Sequence, residues 1–131
     1  MNEGSAANME KAKIWLDEIG IIHEEHPVAM LNLEIANYAI QERARLAGDE
    51  KKPVLVKFDR LFGYTDDLHQ LDLKVMLKNV SALGFCVQGK EEISVSQKLL
   101  IQRFYEETPY PVPVKVFFDE KEALAWLKTQ R

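Results

Sequence analysis

The chain has 131 residues, 47% hydrophobic and 29% charged, which excludes the disordered class, whose hydrophobicity is too low to bury a core. Its 21 acids and 17 bases leave a net charge of -4 and are interspersed, so no basic stripe gathers phosphates, and nucleic acid is excluded as the natural partner. The single cysteine, Cys86, excludes an internal disulfide and a multi-cysteine zinc site, and no apolar run approaches the roughly 18 residues of a membrane span.

Residues 1–10 are small and polar and read as a flexible tail without an apolar signal core, followed by a single αβ domain over 11–131. The expected protein is soluble and cytoplasmic. Ala12, Ile14 and Leu16 alternate with Lys13, Trp15 and Asp17, the period of a half-buried strand. Gly20 supplies a turn, residues 21–25 return as the second strand of a hairpin, and Pro27 ends it. Residues 28–31 can add a short third strand.

Asn32 is a helix N-cap with Glu34 in the first turn. Leu33, Ala36, Ile40, Ala44 and Ala47 recur at helical spacing and Gly48 closes the helix, with Glu42, Arg43 and Arg45 assigned to its polar side. Residues 53–58 are β-branched and apolar, as a central parallel strand should be. Gly63 opens a loop. Thr65, Asp66 and Asp67 then start a second helix predicted to run to about Asn79, with Leu68, Leu71, Val75, Met76 and Val80 as its buried stripe. Residues 85–87 form a short strand. Ser94 with Gln97 makes a capping box for a third helix carrying Leu100, Ile101 and Phe104. Val114, Val116 and Phe118 mark the last strand, and Asp119 with Glu122 starts a C-terminal helix holding Ala123, Leu124, Trp126 and Leu127. Such alternation of strands and helices implies crossover connections and a mostly parallel sheet, with an antiparallel hairpin at its start and about four helices.

This order, the stretch 52–68, and the ending in which Phe117, Phe118 and Asp119 precede Glu122-Ala123-Leu124-Ala125-Trp126-Leu127 resemble bacterial STAS-like, SpoIIAA-like proteins. The likeness spans about residues 12–128, and its most specific part is the ending. It implies a STAS-like fold and a kinship with anti-sigma factor antagonists, in a subgroup of unassigned function. In antagonists that work as phosphorylation switches, an Asp-Ser-Ser-Gly-like element follows the strand corresponding to 54–58. Here the region reads Tyr64-Thr65-Asp66-Asp67-Leu68, so the switch serine is missing and Thr65 is the nearby hydroxyl.

Candidate chemistry is sparse. His23 and His26 stand three apart, which on a strand sends them to opposite faces, so no metal is expected and 23–26 reads as a solvated strand end. His69 reads as exposed. Cys86 lies in an apolar strand and reads as core, and no nucleophile elbow or phosphate-binding glycine loop is present. No catalytic residue, cofactor or metal is therefore assigned. Ligands of open parallel sheets gather beyond the carboxyl ends of the strands, so the candidate interaction face is Asp59, Tyr64, Thr65, Asp66 and Asp67, with Gln88 and Ser94 from the neighbouring turn. Residues 109–113 position the last strand, Trp126 is core, and Trp15 on the polar face of its strand admits a homodimer. The expected function is a non-enzymatic regulatory module that binds a protein; the alternatives are a small-molecule or lipid binder and a small enzyme.

Overall fold

A computed structural model describes residues 12–27, 30–58, 63–87, 95–106 and 109–130. Strands β1 (Lys13–Leu16) and β2 (Ile22–His26) form the N-terminal hairpin, and β3 (Met30–Leu31) precedes helix α1 (Leu33–Ala47). Strand β4 (Lys52–Phe58) is followed by β5 (Gly63–Tyr64), a 3-10 helix η1 (Asp66–Gln70) and the one-turn helix α2 (Leu73–Met76). Then come β6 (Val80–Val87), α3 (Val95–Glu106), β7 (Val114–Phe117) and α4 (Glu120–Lys128).

The main sheet has five strands in the order β1-β2-β4-β6-β7. Only β1 and β2 run antiparallel; β2–β4, β4–β6 and β6–β7 are parallel. The alternation predicted from the sequence is therefore realised as a mixed, mostly parallel sheet. Side chains of successive residues point to opposite faces, and each face builds its own core. On one face Ile22, Val54, Val56, Leu83, Phe85 and Val116 pack with Ala47 and Leu46 of α1. On the other, Ile21, Leu55, Ala82, Cys86 and Phe117 pack with Ala123 and Leu127 of α4.

Local chemistry fixes the element ends. Asn32 Oδ1 accepts the Ile35 N–H at 2.8 Å, and Gly48, at φ 65°, closes α1 with its N–H on Ala44 O. Asp119 Oδ1 accepts the Lys121 N–H at 3.1 Å to start α4.

Two expectations are corrected. The second helix does not run unbroken to Asn79: η1 ends at Gln70, and Asp72 restarts the chain as α2 by accepting the Lys74 N–H at 3.0 Å. An aspartate that competes for backbone donors makes a new N-cap instead of a helix interior. Val75, assigned to the buried stripe, is consequently 49% exposed. The strand expected at 85–87 also begins earlier, at Val80, because Asn79 takes φ 68° and turns the chain directly into β6. Asparagine tolerates that left-handed backbone, and its Nδ2 donates to Gly48 O and Glu50 O, tying the turn after α1 to the start of β6. The short third strand exists as β3 but pairs in parallel with β5, in the region read as loop, forming a separate two-stranded sheet. The tail at 1–10 lies outside the described residues.

Candidate functional site

In chain order β3 follows β2, and β5 and then η1 follow β4; Tyr64, Thr65, Asp66 and Asp67 of the expected face lie along that second stretch. Asp59, Gln88 and Ser94 lie outside the described residues; Tyr64 places its backbone in β5. The remaining three divide by role. Asp67 Oδ1 accepts the Leu33 N–H at 3.3 Å and the Thr65 hydroxyl donates to the same oxygen. Asp67 thus satisfies an orphan donor at the start of α1, with its charge at the positive end of that helix. Asp66 is exposed beside it. Of the two adjacent acids, one is structural and the other faces solvent.

The expectation of a solvated end at 23–26 is overturned: His23, Glu24 and His26 are all buried. Neighbouring β4 runs parallel alongside them, pairing Glu24 with Val56 and His26 with Phe58, and β1 flanks the other side, so β2 is an interior strand. On the α1 face, Glu24 Oε2 lies 2.5 Å from His26 Nε2 and Glu24 Oε1 accepts Arg43 Nη1 at 2.6 Å. Arg43 Nη2 donates to Met76 O, and the His26 ring stacks on Phe58 with centroids 5.1 Å apart. Burial raises the Glu24 carboxyl, but the Arg43 charge and then the hydrogen bond and charge of His26 outweigh it and bring the group down to about 2. Arg43, assigned to the polar side of α1, is in fact buried. Its position, seven residues after Ala36 and four before Ala47, lies on the apolar stripe, and that spacing was the signal for it.

The opposite face carries a second polar set. Asp17 Oδ2 lies 2.7 Å from His23 Nε2, and the His23 ring stacks on Trp15 at 4.9 Å with planes 7° apart. Lys57 Nζ pairs with Glu25 Oε2 at 2.8 Å and with Glu120 Oε1 at 3.4 Å, and stands 5.3 Å from the Trp15 ring centroid. The two histidines therefore serve different faces and different carboxylates. Cys86 is buried, as its apolar strand required, and burial together with the nearby Glu120 charge pushes its thiol up to about 11. A thiol so poised is not the thiolate that a nucleophile needs. Among the described residues, no three His, Cys, Asp or Glu side chains converge where a metal ion could sit.

A family model described as a domain of unknown function, DUF7793, matches residues 10–131. The chain belongs to the DUF7793 family. No curated protein matches it. Among solved structures it is similar to the crystal structure of an uncharacterized DUF3478-family protein with a SpoIIAA-like fold from Shewanella loihica PV-4. The identity is 21%, the TM-score 0.59, and the match covers 92% of this chain and 96% of the other. The SpoIIAA-like fold anticipated from the sequence is thereby established; at that identity the likeness concerns fold alone.

In this DUF7793 chain the ionisable groups inside the fold neutralise one another across β2, α1, β4 and α4. What it offers outward is different. Helix α3 presents Val95, 73% exposed, and Leu99, 61% exposed, one turn apart. Helix α3 follows β6 in the chain, and the exposed Asp66 lies in η1, which follows β4 and β5. The sequence reading missed Val95 and Leu99, although their four-residue spacing outside the stripe of Leu100, Ile101 and Phe104 marks an apolar second face. No helix among the described residues is long and apolar enough to cross a membrane.

Proposed function

We propose that this DUF7793 domain is a non-enzymatic regulatory module that binds a protein partner at the carboxyl rim of its sheet. The observation that carries the reading is the exposed pair Val95 and Leu99 at the start of α3, to which the exposed Asp66 of η1 adds a charge. Apolar side chains flanked by a charge suit a protein surface that brings an apolar anchor and a basic residue. Asp67 and Thr65 hold the rim in shape; Asp66 is the group left to meet the partner. The cytoplasm suits a chain whose one cysteine is buried and unpaired. Regulation through a phosphorylated serine at 64–68 is not part of this reading, because that stretch holds none.

Affinity capture from the source cells, comparing the native chain with Leu99→Glu and Asp66→Lys, tests the reading. The expected result is a specific protein retained by the native chain and lost with both variants. Retention of every specific protein by both variants would remove this face from consideration. A stoichiometric small molecule released from the native protein under denaturing mass spectrometry would favour a ligand-binding role instead.

A further inference from the structure

The N-terminal hairpin shows which backbone groups of β1 are free. The Asp17 N–H donates to Ile21 O at 3.0 Å and the Gly20 N–H to Asp17 O at 3.3 Å, with Gly20 at φ 93°, so Asp17 and Ile21 close a three-residue loop. Hydrogen-bonded pairs then recur at every second position, at Trp15 with His23 and Lys13 with Glu25. Ile14 and Leu16 therefore point their N–H and C=O groups away from β2. That margin is the edge of the sheet, where no further strand pairs among the described residues.

Proteins commonly guard such an edge with proline, a bulge or inward charges. Strand β1 has no proline or bulge, and runs Lys13-Ile14-Trp15-Leu16 with Trp15 and Leu16 each 38% exposed. We propose that this edge pairs antiparallel with β1 of a second copy of the chain, centred on Trp15, so that two five-stranded sheets join across a two-fold axis. This pairing is independent of partner binding at α3 and η1, since it uses a different margin of the sheet.

The register follows from the residues. Antiparallel pairing must use the outward groups of Ile14 and Leu16, and three two-fold registers do so. Pairing Ile14 with its own copy puts Lys13 opposite Trp15, and pairing Leu16 with its own copy puts Trp15 opposite Asp17. Pairing Ile14 with Leu16 places Lys13 opposite Asp17 at both ends and Trp15 opposite itself. That register sets opposite charges face to face twice and joins apolar residues between them. Asp17 keeps its hairpin bonds, with Oδ1 on the Ile19 and Ile21 N–H groups and Oδ2 on His23. The Trp15 ring is already held by its stack on His23, so little freedom is lost when a second ring meets it. Among the described residues, helix α4 lies over β4, β6 and β7 and not over the hairpin.

Sedimentation equilibrium of the full chain at tens of micromolar tests the pairing, with an expected mass of about 30 kDa, twice the 15.1 kDa of the chain. Leu16→Pro removes an outward donor without touching the β2 ladder and is expected to sediment near 15.1 kDa with an unchanged circular dichroism spectrum. Lys13→Asp, which places like charges opposite each other across the axis and also faces Glu25 of β2, is expected to weaken the dimer at least tenfold; Lys13→Ala, which removes the attraction without adding repulsion inside the hairpin, is expected to weaken it with an unchanged circular dichroism spectrum. In Trp15→Cys the two Cα atoms stand about 4.5 Å apart, within disulfide range, so mild oxidation yields a reducible dimer that Ile19→Cys does not give. A monomeric native chain at these concentrations overturns the proposal, as does a dimer that survives both Leu16→Pro and Lys13→Asp. A monomer that dimerises only after removal of residues 1–11 overturns it too, because the edge is then covered by the chain's own N-terminal segment.

Discussion

At the level of single residues, the most consequential group is Arg43. It joins Glu24 on β2 to the Met76 carbonyl at the end of α2, in a site from which water is excluded. Arg43→Met leaves the buried Glu24 with His26 as its remaining partner and is expected to cost about 3 kcal/mol in urea unfolding, whereas Glu24→Leu combined with Arg43→Met recovers most of that loss. The same pair gives the fold an acid limit. Glu24 ordinarily titrates near 4.5 and is held at about 2 in the folded chain, so the folded state favours its ionised form. Its stabilising contribution is complete above pH 4.5 and drains away as pH falls from there toward 2. Urea midpoints measured between pH 6 and 3 are expected to fall less steeply for Glu24→Gln than for the native chain. Asp67 and Asp66 offer a second contrast: Asp67→Ala is expected to cost about 1 kcal/mol through the lost donor partner at α1, and Asp66→Ala close to nothing. The burial of His23, Glu24 and His26 was not legible because four polar residues in a row carry no apolar alternation; what makes it tolerable is Asp17 beside His23, and Arg43 and Phe58 from far along the chain beside Glu24 and His26.

Among the elements, α4 depends on a glycine. A Cβ on Gly84 of β6 would lie 3.3 Å from Leu127 Cδ1, and Leu127 is fully buried against it. Gly84→Ala requires the fully buried Leu127 to give by a few tenths of an ångström and is expected to cost about 1 kcal/mol; Leu127→Ala, which opens a cavity over the same strand, is expected to cost about 2–5 kcal/mol. Thermal or urea denaturation of the two variants checks both values. Helices α1 and α4 were legible because a cap and an apolar stripe coincide in each, with Gly48 also closing α1. The run from Thr65 to Asn79 was not, since its apolar spacing fits one long helix. The break at Asp72 and the left-handed Asn79 depend on backbone bonds that periodicity does not report.

For the whole molecule, alternation of elements sufficed to anticipate a mostly parallel sheet with an antiparallel hairpin, and the ending at 111–127 pointed to the SpoIIAA-like fold. The division of labour between Asp66 and Asp67 was not legible, because it depends on where α1 begins in space. One further consequence follows from the parallel pairing of β3 with β5. This ladder joins only Met30 with Gly63 and Leu31 with Tyr64, and lies outside the main sheet. It can come apart while β2, β4 and β6 stay paired, which makes it a separate unit of opening. In native-state hydrogen exchange its amides are expected to exchange at least a hundredfold faster than those of Val54 and Leu55, with a weaker dependence on urea. The rim of the sheet would then breathe on its own clock while the five strands beneath it stay closed.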